Sequence, residues 1–158
     1  MRRSLPAVDH KVRVVLNRSG VFSITAIALS AISRPPVPRV GLARNPIDSG
    51  DVFLYHKTSR RTVYDRAHAE QPECDDVILW NERGEITESC SANIVLDLDG
   101  ELLTPPIECG VLGGTFRSEL LAQGKIVERV ITIETLRVAQ RLWLINSVRK
   151  WMTAKLID

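Results

Sequence analysis

A chain of 158 residues with 44% hydrophobic and 25% charged residues fits one ordinary globular domain and excludes a fibrous or disordered chain. A formal net charge of +2, with bases scattered among acids, argues against a nucleic-acid or anionic-membrane surface. Cys74, Cys90 and Cys109 have neither metal-ligand spacing nor the even count of a disulfide framework, so no metal is expected and a reducing cytoplasm is the expected location.

The chain opens with Met1, Arg2 and Arg3, but Asp9, His10, Lys11, Arg13 and Arg18 interrupt any secretory leader. The apolar run from Val21 to Ile32 is shorter than the roughly 20 residues that a membrane span requires. Segments 11–16 (KVRVVL) and 21–28 (VFSITAIA) are β-rich around the turn residues NRSG, which predicts a hairpin. Prolines in SRPPVPR (33–39) then break helix and ladder alike and predict a connector. Strands are expected at VGLA (40–43) and VFLYHK (52–57), and a helix over 60–71 that ends before Pro72. Lys57 would then lie at a strand-to-helix boundary. DDVILWN (75–81), EITES (85–89), ANIVLDL (92–98) and ELLTP (101–105) read as a meander punctuated by ERG and DG turns. A helix is predicted from Thr115 to Ala122 with Gly124 just past its end, followed by a strand at 126–133, a helix at 134–140 and a strand at 141–148. Mainly antiparallel strands with a few peripheral helices sum to an α+β or barrel-like α/β domain.

Two segments carry candidate chemistry. Lys57 follows the apolar stretch VFLY, where loss of water would favour its neutral, nucleophilic amine. Glu88 sits in a strand whose alternation turns it away from Thr87. An amine able to condense with an aldehyde and a carboxylate able to face a pyridine nitrogen together suggest pyridoxal phosphate (PLP) chemistry. The glycine-rich turn GVLGGTFR (110–117) offers backbone donors for a phosphate at a helix start, centred on Gly113, Gly114 and Thr115, and NSVRKW (146–151) supplies a second polar turn. Each element has an ordinary alternative: lysines are mostly solvated, glycines occur in plain turns, and the Thr115 hydroxyl can cap a helix. Arg61 fits an active-site role and a surface pair with Asp65 equally well. Tyr64 reads as packing beside the cofactor or, more plainly, as anchoring the helix in the core, and Asn93 as securing a local turn.

With HKTSRRTVYDRA (56–67), LWNERGEITES (79–89), LLTPPIECGVLGGTFR (102–117) and NSVRKW in this order, the chain resembles the fold-type-IV, class IV aminotransferase-like PLP enzymes. Within them it is similar to the 4-amino-4-deoxychorismate lyases. The resemblance covers roughly residues 11–156 and implies an α+β fold, a mainly antiparallel pseudo-barrel with peripheral helices, with PLP as cofactor, a small-molecule substrate and a homodimer. It implies Lys57 as the residue bonded to the cofactor and as the proton carrier. It also implies Glu88 at the ring nitrogen, Arg61 beside the cofactor, and Gly114, Thr115 and Ser147 at the phosphate. Arg149 and Lys150 are the expected substrate contacts. Two departures stand out: many relatives have proline in place of Gly113 and glycine in place of Lys150.

By the same resemblance, residues 1–38 correspond to the terminal strands of an otherwise missing small domain plus a linker, and residues 39–158 to the PLP-binding C-terminal domain. The small domain of the family supplies an arginine to the phosphate and closes the substrate cleft, so the expectation is either a fragment or split form, or a separate partner chain that supplies the missing wall. The implied reaction converts 4-amino-4-deoxychorismate to 4-aminobenzoate and pyruvate. The alternatives are a class IV transaminase of the branched-chain or D-amino acid type, and a remnant without catalysis.

Overall fold

The computed structural model describes residues 8–31 and 36–157. Residues 1–7 and the start of the proline connector, 33–35, lie outside the described residues. The chain divides into two compact units, residues 1–35 and 36–158. In the first, β1 (His10–Leu16) pairs antiparallel with β2 (Phe22–Ala28). Asn17 organises the turn: its side-chain oxygen accepts from the amides of Ser19 and Val21, and Gly20 takes the left-handed φ of +78° that the reversal requires. The register puts Val12, Val14, Leu16, Phe22 and Ile24 on one face, and all five are exposed.

The second unit is an eight-stranded curled sheet among the described residues. Its strands are β3 (Arg39–Leu42), β4 (Asp76–Trp80), β5 (Ile86–Ser89), β6 (Asn93–Leu98), β7 (Glu101–Thr104), β8 (Val127–Glu128), β9 (Arg141–Asn146) and β10 (Lys150–Leu156). They run in the order β5-β4-β3-β10-β9-β6-β7-β8. The two ends of the sheet meet, because Ile86 donates its amide to the Ile131 carbonyl and Glu85 bridges Thr132 just beyond β8. Most pairings are antiparallel, as expected for the pseudo-barrel, and β3–β10, β3–β4 and β7–β8 are parallel.

Period-two alternation decides which residues fill the curl. Ile78, Ile94, Leu96, Leu142 and Leu144 belong to one buried cluster with Ile86, Leu103, Ile131 and Leu136. Their neighbours in sequence point outwards under helices. Val77 and Leu79 pack with Tyr64 and Ala67 of α1 (Thr62–Ala69), and Val95 and Ile145 pack with Phe116 and Leu120 of α2 (Thr115–Ala122). Strands covered on both faces read as the continuous apolar runs VIL and IVL. α3 (Ile133–Val138) starts at Thr132, whose hydroxyl accepts from the Thr135 amide.

Four local expectations are corrected. Residues 52–55 form a 3-10 turn and not a strand, because Asp51 Oδ1 caps it by accepting from the Phe53 amide at 3.0 Å. The meander is interrupted, since β5 pairs with β4 while β6 pairs with β7 and β9. The strand expected over 126–133 shrinks to β8 as the chain crosses from β7 to the β5 edge. NSVRKW is a turn that leads straight into β10, a strand the sequence reading did not assign.

Candidate active site

A cavity of about 320 Å³ opens between α1, the end of β5 and the start of α2. Its lining includes Lys57, Arg61, Tyr64, Glu88, Asn93, Gly113, Gly114, Thr115 and Ser147. The volume lies at the lower end of the range for small-molecule pockets. The fold thus brings Lys57, Glu88 and the glycine turn to one space. Arg149 and Lys150 are not part of this lining.

Glu88 forms the floor. It is only 5% exposed, yet both carboxyl oxygens are held: the Tyr64 hydroxyl donates to Oε1 at 2.8 Å, and Asn93 Nδ2 donates to Oε2 at 3.0 Å. Burial raises the Glu88 pKa from 4.5 to about 7, against the opposing pull of the Tyr64 hydroxyl, Lys57, a Leu112 backbone hydrogen bond and Arg61. The group therefore changes charge near neutrality. Tyr64 is held protonated, because burial and the adjacent carboxylate both push its pKa up.

The Arg61 guanidinium donates to the Cys90 carbonyl and lies 4.5 Å from the centre of the Tyr64 ring. Its approach to Asp65 is only 4.0 Å, and Asp65 is largely exposed. The surface pair is the weaker of its engagements. Arg61 instead braces the tyrosine that holds Glu88.

The rim is built differently. Lys57 follows the 3-10 turn and the extended His56, and it is exposed; the desolvation expected from a preceding strand is not present. α2 begins at Gly114 with no side-chain cap, leaving first-turn amides for an anion. Thr115 Oγ1 and Ser147 Oγ lie 2.6 Å apart beside that helix start, so α2 and the turn after β9 meet at one polar point. Lys150 adopts φ +58°, a backbone state that favours glycine, and places Nζ 4.5 Å from the centre of the Phe116 ring. Arg149 is half-buried, and its amide donates to Asn146 Oδ1.

Two side chains that hold Glu88 did not show that contact in the sequence. Tyr64 is buried, as a core residue should be, but its hydroxyl serves Glu88. Asn93 bonds to Glu88 and to the distant Leu112 carbonyl, not to a local turn. The spacing E-x-x-x-x-N held no signal by itself, since the contact depends on how residues 89–92 turn β5 into β6.

The family model for amino-transferase class IV matches residues 3–157. The chain belongs to the class IV aminotransferase family. Its members are PLP-dependent enzymes. A protein of Schizosaccharomyces pombe, provisionally named an aminodeoxychorismate lyase, is 26% identical over 148 residues, covering 89% of this chain and 64% of its own. The crystal structure of a provisionally named amino-acid aminotransferase from Mesorhizobium loti is 38% identical, with a TM-score of 0.86 over 94% of this chain and 73% of that one. A Legionella pneumophila structure, provisionally named a 4-amino-4-deoxychorismate lyase, shares the fold at 23% identity and a TM-score of 0.77. This class IV chain covers 87% of its own length in that match and 53% of the Legionella chain. It thus spans just under two thirds of the fission-yeast relative and about half of the Legionella protein.

The donor set suits PLP. A primary amine stands at the mouth, a buried carboxyl group that ionises near neutrality stands on the floor, and an uncapped helix start stands beside paired hydroxyls.

Proposed function

We propose that this chain is the PLP-binding part of a lyase that converts 4-amino-4-deoxychorismate to 4-aminobenzoate and pyruvate. The observation that carries the reading is the convergence of Lys57, buried Glu88 and the α2 start on one cavity. Bound PLP supplies an aldehyde that captures primary amines and a ring that accepts electrons. Lys57 holds the cofactor through its amine and, once released, moves the proton at the substrate carbon that bears nitrogen. Glu88, ionised, keeps the ring nitrogen protonated. The α2 amides, Thr115 and Ser147 bind the phosphate, and Arg61 steadies the Tyr64–Glu88 pair. Lys150 and Arg149 attract the substrate carboxylates.

In this reading residues 1–38 are the terminal strands of a small domain plus a linker, and their apolar face is covered by the rest of that domain or by a partner. The exposed apolar face of the hairpin, with Val14 57% and Ile24 69% accessible, supports such a cover. A homodimer in the cytoplasm is the proposed setting. Among the described residues, no helix is long and apolar enough to cross a membrane.

A class IV transaminase is the second reading, favoured by the 38% identity to the Mesorhizobium protein. The same lysine and glutamate would serve it, with an added keto acid as acceptor. Incubation with PLP, borohydride reduction and peptide mapping should place the label on Lys57. Pyruvate plus 4-aminobenzoate from aminodeoxychorismate would establish the lyase, whereas amino transfer to a keto acid would replace it with the transaminase. Absence of any PLP label would overturn both in favour of a remnant without catalysis.

A further inference from the structure

Asn93 opens β6, and its carboxamide is buried between the acid floor and the glycine turn. Nδ2 donates to Glu88 Oε2 at 3.0 Å and to the Leu112 carbonyl at 2.9 Å. Both partners are acceptors, so the NH2 group must face them, and its two hydrogens are then both engaged. The remaining oxygen, Oδ1, faces Gly114. A Cβ at Gly114 would stand 2.1 Å from Oδ1 and 3.3 Å from Cγ of Asn93. Atoms in a packed interior do not approach so closely, and a side chain there would have to expel the carboxamide.

Nothing else in the local structure demands a glycine at this position. Gly114 has φ −65° and ψ 136°, which any residue adopts. The adjacent Gly113 provides the contrast, since a Cβ there would meet only Ile107 Cδ1 at an ordinary 3.6 Å.

We propose that Asn93 is a positioning residue that locks the Glu88 carboxyl group to the 112–114 turn, and that Gly114 lacks a side chain in order to seat the Asn93 carboxamide. The acid floor and the helix start are then one mechanical unit. Its value to chemistry rests on the proposed PLP reading, in which a rigid cofactor spans the two and needs their separation held constant.

The coupling is measurable in the cofactor-free chain. Glutamate is labelled with ¹³C at the carboxyl carbon, and the Glu88 resonance, assigned by its loss in Glu88→Gln, is followed against pH by NMR. Asn93→Ala removes a donor that favours the ionised carboxylate, so the Glu88 midpoint should rise by about half to one pH unit. Gly114→Ala should reproduce that rise without touching Asn93 chemically. The double variant should titrate like Asn93→Ala alone, and Gly114→Ala should cost far less stability in the Asn93→Ala background than in the native one.

A Gly114→Ala chain whose Glu88 midpoint stays in place overturns the proposal, as does an equal shift in both backgrounds. A merely structural glycine would lower stability without moving that midpoint. Should Gly114→Ala fail to fold, the double variant decides. Folding restored to the level of Asn93→Ala supports the seat, and failure where Asn93→Ala folds refutes it. None of these measurements uses PLP, so their failure leaves the proposed chemistry standing, and a chain that takes no cofactor can still show the coupling.

Discussion

Glu88 and Lys57 face one cavity under opposite conditions of solvation. The glutamate is nearly inaccessible, fixed by Tyr64 and Asn93, and raised by burial to a pKa of about 7. The lysine is exposed, follows a short 3-10 turn and sits on a rim with Thr115 and Ser147, which are also exposed. A buried acid is tuned by the fold and affects folding in return. An exposed amine contributes little to folding, so this fold prepares the electrostatics of the floor and leaves the rim accessible. Substitutions on the two sides should therefore separate activity from stability.

The largest separation is expected at Lys57. Lys57→Ala should abolish borohydride labelling and lower turnover about 10³-fold or more, while denaturant unfolding stays within about 0.5 kcal/mol of the parent. On the floor the two properties should move together. Glu88→Gln should lower turnover by about 10²-fold or more. It should also remove a pH dependence of stability. Between pH 4.5 and about 7 the folded chain keeps a proton on Glu88 that the unfolded chain has released. Stability conferred by this group is thus complete below pH 4.5 and is lost as pH rises through 7. The loss amounts to about 3 kcal/mol. Urea titrations at pH 5 and pH 8 should show wild type weakening relative to Glu88→Gln; parallel curves would mean that Glu88 ionises at its ordinary value in the folded chain.

Much of the scaffold was legible because burial on both faces leaves a plain mark in sequence. The runs around Val77–Leu79 and Ile94–Leu96 could be little else than covered strands. The helix at Thr115–Ala122 was equally plain, with Gly124 beyond it at φ +64°. The stretch VFLY misled because apolar and aromatic residues suit a strand, while the competing signal was one capping aspartate, Asp51. β10 was not legible because it follows directly on the turn residues NSVRK and alternates only weakly, Ala154 being its one buried residue between the exposed Thr153 and Lys155. In the site, Lys57 and Glu88 could be picked out by residue type and motif. The roles of Tyr64 and Asn93 could not, because a hydroxyl 24 residues from its acceptor is placed only by packing α1 against β4 and β5.

Tyr64→Phe tests the floor more gently than Glu88→Gln. It keeps the ring against Val77 and Leu79 and removes only the donor to Oε1. The expected cost is about 1–2 kcal/mol at pH 8, where an ionised Oε1 would be left short of a partner. At pH 5 Glu88 is protonated and the cost should shrink. The NMR midpoint of Glu88 should move upwards. An unchanged midpoint would show that the hydroxyl does not favour the ionised form.

The rim yields the smallest expected effect, at Lys150, and there the sign matters more than the size. A lysine at φ +58° carries backbone strain of roughly 1–2 kcal/mol, part of which Lys150→Gly trades for the greater chain entropy of glycine. The ammonium 4.5 Å from the Phe116 ring centre returns about 0.5–1 kcal/mol, which the glycine variant also forfeits. The net gain for Lys150→Gly is expected to be small, about 0.5 kcal/mol. Lys150→Met keeps the strain and loses the charge, so it should destabilise by about the same amount. Opposite signs for the two variants would isolate backbone strain from the cation. If Lys150 also attracts substrate carboxylates, both variants should raise KM alike while kcat holds, because both lack the charge whatever they do to the backbone. A KM that follows stability instead would remove Lys150 from substrate binding and leave it only as a strained residue at the start of β10.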